Sequence, residues 1–170
     1  MRISSFPPII GPAPQILILG SMPGIDSLRA NQYYAHTRNH FWMILGEICG
    51  FDPGIAYPDR IEQLIQHRIA LWDVLKTCER SGSLDQNIQR ESEIPNELGI
   101  FLENHRTIRA VVFNGAKAHN GFYRHIYPKL PRFLPALMEF ILMPSTSPAN
   151  AKFTFDEKLA MWIKIQRFLL

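Results

Sequence analysis

Apolar residues fall along the chain in two patterns that take turns: short unbroken runs, and longer stretches at helical spacing. Gln15-Ile16-Leu17-Ile18-Leu19-Gly20-Ser21 is a continuous apolar run ending in small residues, as expected for a central strand covered on both faces. Ser21-Met22-Pro23-Gly24 then predicts a turn. From Asn39 to Ile48, residues Phe41, Trp42, Ile44, Leu45 and Ile48 lie at helical spacing, and Gly50 supplies a stop. A short helix is expected over Asp59–His67, a strand over Ile69–Leu75, a polar surface loop over Thr77–Glu93 and a helix over Pro95–Asn104, with Leu98, Phe101 and Leu102 on one face. Ile108–Gly115 is the clearest second strand and leads into a helical stretch, Lys117–Tyr123. Phe140–Pro144 predicts a further strand, followed by Ser145-Thr146-Ser147-Pro148, and Phe155–Leu169 a last helix. Residues 1–14 read as an irregular lead-in, and no repeat or linker divides the 170 residues into more than one domain.

Strands alternating with helices argue for an α/β fold with a parallel sheet and helices on both faces. Ligands of such folds bind beyond the carboxyl ends of the strands. The turns at Ser21–Gly24, Asn114-Gly115 and Ser145–Pro148 follow three apolar strands, so they should meet on one rim.

Composition narrows the function classes. With 46% hydrophobic, 19% charged and 11% aromatic residues, the chain is neither disordered nor fibrous. Two cysteines are too few for a disulfide framework, a zinc ribbon or a four-cysteine cluster. No apolar run reaches membrane-spanning length, and prolines interrupt the N-terminus too early for a signal peptide; the expectation is a cytoplasmic protein. The net charge of +3 is small, so any footprint on a polyanion must be local. Phosphate-loop, dinucleotide-binding and nucleophile-elbow signatures are absent. The six histidines show no metal-binding spacing. His36 and His40 are four apart but need not share a helical face.

What the rim offers is a set of amides, hydroxyls and aromatics: Asn31, Tyr33, Tyr34, Asn39, Asn114, Ser145, Thr146 and Ser147. Each has a plain structural reading. Asn39 precedes an apolar helix, where Asn is a favoured cap. Asn114 before Gly115 turns the chain. Ser and Thr hydroxyls bond to nearby backbone, and tyrosines commonly pack.

Their order along the chain carries more. Gly20-Ser21-Met22-Pro23-Gly24, then Gln32-Tyr33-Tyr34 and Asn39-His40-Phe41-Trp42, resemble the first motif region of the uracil-DNA glycosylase superfamily. Val111-Val112-Phe113-Asn114-Gly115 is similar to the middle strand of that superfamily's mismatch-specific branch, and Met143-Pro144-Ser145-Thr146-Ser147-Pro148-Ala149-Asn150 to the superfamily's closing motif. Together with Leu71-Trp72-Asp73-Val74-Leu75 and Gly82-Ser83-Leu84-Asp85, the set looks most like the hypoxanthine-DNA (deoxyinosine) glycosylase branch, over roughly Ile16 to Leu169. The resemblance implies a three-layer α/β/α sandwich around a short, mainly parallel sheet. It implies hydrolysis of the N-glycosidic bond of a deaminated base in DNA, with no cofactor and with a monomeric enzyme acting on damaged DNA.

The residue types suit that chemistry. A base must leave the duplex to be reached. Gly20, Ser21, Met22, Tyr33, Tyr34 and Asn114 are the base-binding candidates, with a tyrosine as stacking face and Asn114 as amide donor and acceptor. Ser145, Thr146, Ser147 and Lys152 are candidates for the DNA backbone, with Arg38 and Lys117 as further phosphate contacts. Where other branches place an Asp or Asn in the first motif to activate water, this chain has Met22, and a thioether cannot do so. The branch resemblance moves that role to Asn39, which leaves its cap reading open as well. Pro148, Ala149 and Asn150 stand where the superfamily inserts a wedge, but they are small. No lysine stands at a nucleophile position, which disfavours strand nicking through a Schiff base. The competing readings are a uracil- or mismatch-directed glycosylase of the same fold, a non-catalytic nucleic-acid-binding module, and a small-molecule binder on the same rim.

Overall fold

The structure is a computed structural model, and it describes residues 1–169. Its centre is a parallel four-stranded sheet of β2 (Ile16–Gly20), β3 (Ile69–Asp73), β6 (Ala110–Asn114) and β7 (Glu139–Met143), in the order β3-β2-β6-β7. The registers Ile16↔Ile69, Ile16↔Ala110 and Ala110↔Glu139 bring the carboxyl ends of all four strands to one edge. Ile16, Leu17, Ile18 and Leu19 are each 0% exposed, and burying such side chains contributes about 1.5–3 kcal/mol apiece.

Alternation along the strands sends side chains to two cores. Leu17, Leu19, Val111 and Phe113 pack against α4 (Leu98–Asn104) and α5 (Ala116–His125) through Leu98, Phe101, Leu102, Ala118 and Phe122. Ile16, Ile18, Ala110 and Val112 pack against α2 (Phe41–Cys49), α3 (Tyr57–Gln66) and α6 (Phe155–Trp162) through Phe41, Ile44, Leu45, Leu64 and Trp162. The result is the expected three-layer α/β/α arrangement. Gly50 ends α2 in the left-handed region, with φ 76°. Thr154 and Glu157 form a capping box at the start of α6.

Four local expectations need correction. The lead-in is not wholly irregular: β1 (Arg2–Ser4) pairs antiparallel with β4 (Leu75–Glu79), and Ile9 bridges to Leu71. The strand expected over Ile69–Leu75 breaks at Val74, whose N–H turns to the Gly20 carbonyl; β4 then enters a second, three-stranded sheet with β1 and β5 (Ile94–Pro95). The polar segment Thr77–Glu93 therefore begins as a strand, and it buries Arg80 and Glu93. Polarity there reflects an internal charge cluster: Glu93 is bonded by Lys117, Arg124 and His125. Finally, the last helix tightens into 3₁₀ turns over Ile163–Phe168. Among the described residues, no helix is long and apolar enough to cross a membrane.

Candidate active site

The carboxyl ends of the strands open into a cleft of about 690 Å³, within the range of small-ligand sites. The turns after β2, β6 and β7 all line it, as the sequence pattern predicts. A short helix, α1 (Ile25–Ala30), and the segment to α2 close one side.

Gly20 forms the floor. A Cβ there would stand 2.5 Å from Asp73 Oδ1 and 2.9 Å from the Tyr34 hydroxyl, so only glycine lets these two groups converge. Ser21 donates its hydroxyl to Asp85 Oδ1 at 2.7 Å. Met22 borders the cleft but is 6% exposed and belongs to the α4/α5 core. Its side chain is therefore part of the packing.

The two tyrosines separate. Tyr33 is buried, donates its hydroxyl to the Pro7 carbonyl at 2.8 Å and packs edge-on against Phe6. Tyr34 takes φ 54°, a left-handed conformation uncommon outside glycine. It stacks on Phe41 with ring centroids 4.0 Å apart. Its hydroxyl lies beside Asn114 and is buried without a hydrogen-bond partner. Of the pair, Tyr34 is the one that presents a half-buried ring and an unused polar group to the cleft.

Asn39 lines the cleft at the start of α2. Its Oδ1 accepts from the Phe41 N–H at 2.9 Å, so the capping reading describes real geometry, one residue before the His40 cap position. That bond fixes the amide plane. One Oδ1 lone pair and the Nδ2 donors have no partner among the described residues. Asn31 is exposed, ends α1 in the left-handed region and does not line the cleft.

Asn114 and Thr146 form a closed pair: Nδ2 donates to Thr146 Oγ1 at 3.0 Å, and the Thr146 N–H donates to Oδ1 at 2.9 Å. Thr146 is 0% exposed. Its hydroxyl is thus a brace within the fold and is out of reach of a DNA backbone. Ser145 and Ser147 remain partly exposed on the rim; their hydroxyls accept from the N–H groups of Ser147 and Ala149. Gly115 lets this turn approach β6, since a Cβ would lie 2.9 Å from Ser145 Cβ and φ is +96°.

Of the cationic candidates, Arg38 lines the cleft and is exposed. Lys117 is instead ion-paired to the buried Glu93. Lys152 is exposed outside the cleft lining, 5.4 Å from the Phe153 ring centroid.

Two further groups escape a reading by motif. Lys158 is 1% exposed, and its ammonium donates to the Ser147 carbonyl at 3.4 Å; burial pulls its pKa below the usual lysine range. Asp73, the last residue of β3, is 4% exposed in the cleft wall, and its Oδ2 has no partner. Burial first, then the nearby Asp85, push its carboxyl up to about 7, against a downward pull from Arg80. A single acid closing an apolar strand at its carboxyl end is the sequence signal that marks Asp73.

Comparison with known proteins agrees with this geometry. Residues 7–166 match the family model described as the uracil DNA glycosylase superfamily. A hypoxanthine DNA glycosylase of Methanosarcina barkeri is 44% identical over 119 residues, covering 69% of this chain and 74% of that protein. One of Methanosarcina acetivorans is 37% identical over 150 residues, covering 88% and 89%. A solution NMR structure of a candidate uracil DNA glycosylase from Methanosarcina acetivorans superimposes with TM-score 0.82 at 32% identity, over 99% of both chains. With the strand order, the cleft and these matches in agreement, the chain belongs to the uracil DNA glycosylase superfamily.

Proposed function

We propose that this chain is a monofunctional DNA glycosylase that hydrolyses the N-glycosidic bond of hypoxanthine in DNA. It acts as a single-domain monomer in the cytoplasm. The observation that carries the reading is Asn39: an amide locked by a helix N-terminus, facing a cleft at the strand ends, in a chain whose relatives are named hypoxanthine DNA glycosylases.

The flipped base enters the cleft over Gly20 and lies against the Tyr34 ring. Asn114, held by Thr146, keeps one N–H and one lone pair for the base edge. As the bond to C1′ lengthens, the sugar gains positive and the base negative charge. Asn39 holds a water through its free lone pair and Nδ2–H on the sugar side. An amide suffices there, because the carbon is already electron-poor when water attacks. Arg38, Ser145, Ser147 and their main-chain amides take the flanking phosphates, and Lys152 a more distant one; such contacts position without reading sequence.

The test is base release from oligonucleotides carrying one hypoxanthine, uracil or xanthine, revealed by alkaline cleavage, with and without chelator. Hypoxanthine release that survives chelator, with no strand break before alkali, is the expected result. A uracil-only product would move the assignment to the uracil-directed branch, and no product with retained DNA binding would make this a binding module.

A further inference from the structure

Two polar groups in the cleft have no hydrogen-bond partner among the described residues. Asp73 Oδ2 and the Tyr34 hydroxyl are both buried and neither closes a hydrogen bond among these residues, although the hydroxyl stands beside the Asn114 amide. It is Asp73 Oδ1 that crowds the same face of Gly20 as the Tyr34 hydroxyl. Such groups are rare because each forfeits the hydrogen bonds it makes to water. Among the described residues, the only side chain bonded to Asp73 is Asn96, through the Asp73 backbone carbonyl at 2.8 Å. The nearest cation, Arg80, sends Nη2 to the Pro23 carbonyl and Nε to the Gly82 carbonyl, and makes no ion pair with Asp73.

We infer that Asp73 is a further catalytic residue, a neutral carboxylic acid that donates a hydrogen bond to the departing base, with the Tyr34 hydroxyl as a second donor beside it. The inference rests on the glycosylase reading. It adds to that reading a stronger donor for the negative charge that collects on the leaving base, beside the one N–H that Asn114 keeps. Asn39 serves the sugar side, and Asn114 is largely committed to Thr146.

The charge state follows from the surroundings. Asp85 faces Asp73 from the loop after β4, Tyr33 and Tyr34 from the segment before α2, and Arg80 from the end of β4. One cation without an ion pair does not offset burial and a second carboxylate, so the carboxyl titrates near 7. A bound base displaces water from the cleft and favours the neutral form further. The Tyr34 phenol is held well above its usual range by burial, then by Asp73, and stays protonated throughout. An ionised Asp73 would repel the departing base; a neutral one resembles a buried acid that donates to a developing oxyanion.

The step balances without a co-reactant. The C1′–N bond breaks and its electron pair leaves with the base, whose carbonyl oxygen accepts the Asp73 O–H. Water oxygen bonds to C1′ and releases one proton. That proton neutralises the base, so Asp73 ends as it began.

The sign of the pH dependence is therefore fixed. Neutral Asp73 is the working form, and excision falls as pH rises through and above 7. The experiment is single-turnover release of hypoxanthine between pH 6 and 9 by wild type, Asp73→Asn and Asp73→Leu, with thermal melts to establish folding. Asn keeps a neutral N–H donor but a weaker one, so its rate drops by about tenfold and loses the alkaline fall. Leu has no donor and loses about 10²–10³ in rate. Because Asp73→Asn is nearly isosteric, its profile decides the matter even if the leucine variant fails to fold. Wild-type excision that rises with pH, an Asp73→Asn profile that keeps the alkaline fall, or a folded Asp73→Leu at wild-type rate would each overturn the inference. Absence of any release by wild type would instead overturn the glycosylase reading itself.

Discussion

Replacing Asn39 separates a structural from a catalytic role, because the structure assigns its two amide atoms to different tasks. Oδ1 accepts from the Phe41 N–H at 2.9 Å; Nδ2 and the second lone pair have no partner among the described residues, and the residue lines the cleft. Asn39→Ala removes both. The lost cap is worth about 1 kcal/mol, a fall of roughly 2–4 °C in melting temperature for a domain of this size. A preorganised amide at the transition state is worth about 10²–10³ in rate, or about 3–4 kcal/mol of barrier. The expected variant is folded, slightly less stable, binds DNA nearly as well and excises hypoxanthine at least a hundredfold more slowly. Asn39→Asp sharpens the separation. A carboxylate caps as well as an amide and is favoured at a helix N-terminus, so the melting temperature holds. It lacks the Nδ2 donor that, with the free lone pair, orients the water, so excision still falls. Single-turnover excision and thermal melts on both variants measure the two effects independently. A folded Asn39→Ala that excises at the wild-type rate would refute the catalytic role and leave Asn39 a cap.

Two other perturbations test parts of the picture. Arg38 lies free on the cleft rim while Lys117 is paired to Glu93, so a fluorescence-anisotropy salt titration on DNA should give a log–log slope of about −2 to −4. Arg38→Ala should shallow that slope by about 1, and Lys117→Ala should leave it unchanged; equal effects of the two would contradict this division. Glu93 is buried, which by itself would raise its pKa, but hydrogen bonds from Lys117 and His125 and the Arg124 charge hold it below the usual glutamate range. A depressed folded pKa means stability that is present above the unfolded value and lost as pH falls through the folded one. Glu93→Gln should thus cost about 3 kcal/mol in urea melts at pH 7, and progressively less below about pH 4.5, the ordinary glutamate value; a cost independent of pH would refute this account.

What the sequence made legible follows the period of its apolar residues. The run Ile16–Gly20 has no polar interruption, and the structure buries it completely. The spacing over Phe41–Ile48 and the glycine after it delimit α2 within a residue or so. Parallel strands then bring their carboxyl ends together, which is why the place of the cleft is legible in the sequence. Features that depend on contacts between distant segments stayed hidden. The charges of Thr77–Glu93 suggest solvent, but Glu93 meets Lys117, Arg124 and His125 from α5, far along the chain. The same holds for Thr146, whose hydroxyl looks available until Asn114 is placed opposite it. Tyr33 and Tyr34 are indistinguishable as letters; only the turn between α1 and α2, with Tyr34 at φ 54°, sends one into the core and the other to the cleft.

The same contacts explain how a cleft built from turns can hold its residues still. The turn after β7 is tied to β6 through both ends of the Asn114 amide. Its Thr146 carbonyl accepts from the His40 N–H at 3.0 Å, beside Asn39. From beneath, Lys158 bonds the Ser147 carbonyl, and the Trp162 indole donates to the Pro144 carbonyl at 3.0 Å. The hydroxyl turn after β7 and the Asn39 amide, which we propose meet the DNA backbone and the sugar, are therefore one braced unit, anchored on the end of β6 and on α6. This gives Asn114 and Thr146 a part in the reaction whether or not they touch the base. Loosening either would shift Asn39, and misplacing a reacting group by about 1 Å costs on the order of 10²-fold in rate. A loss of activity on replacing Asn114 thus does not by itself show base recognition. The Tyr34 hydroxyl stands beside the Asn114 end of this brace and shares one face of Gly20 with Asp73, so the brace also bears on the pair we propose as donors to the base.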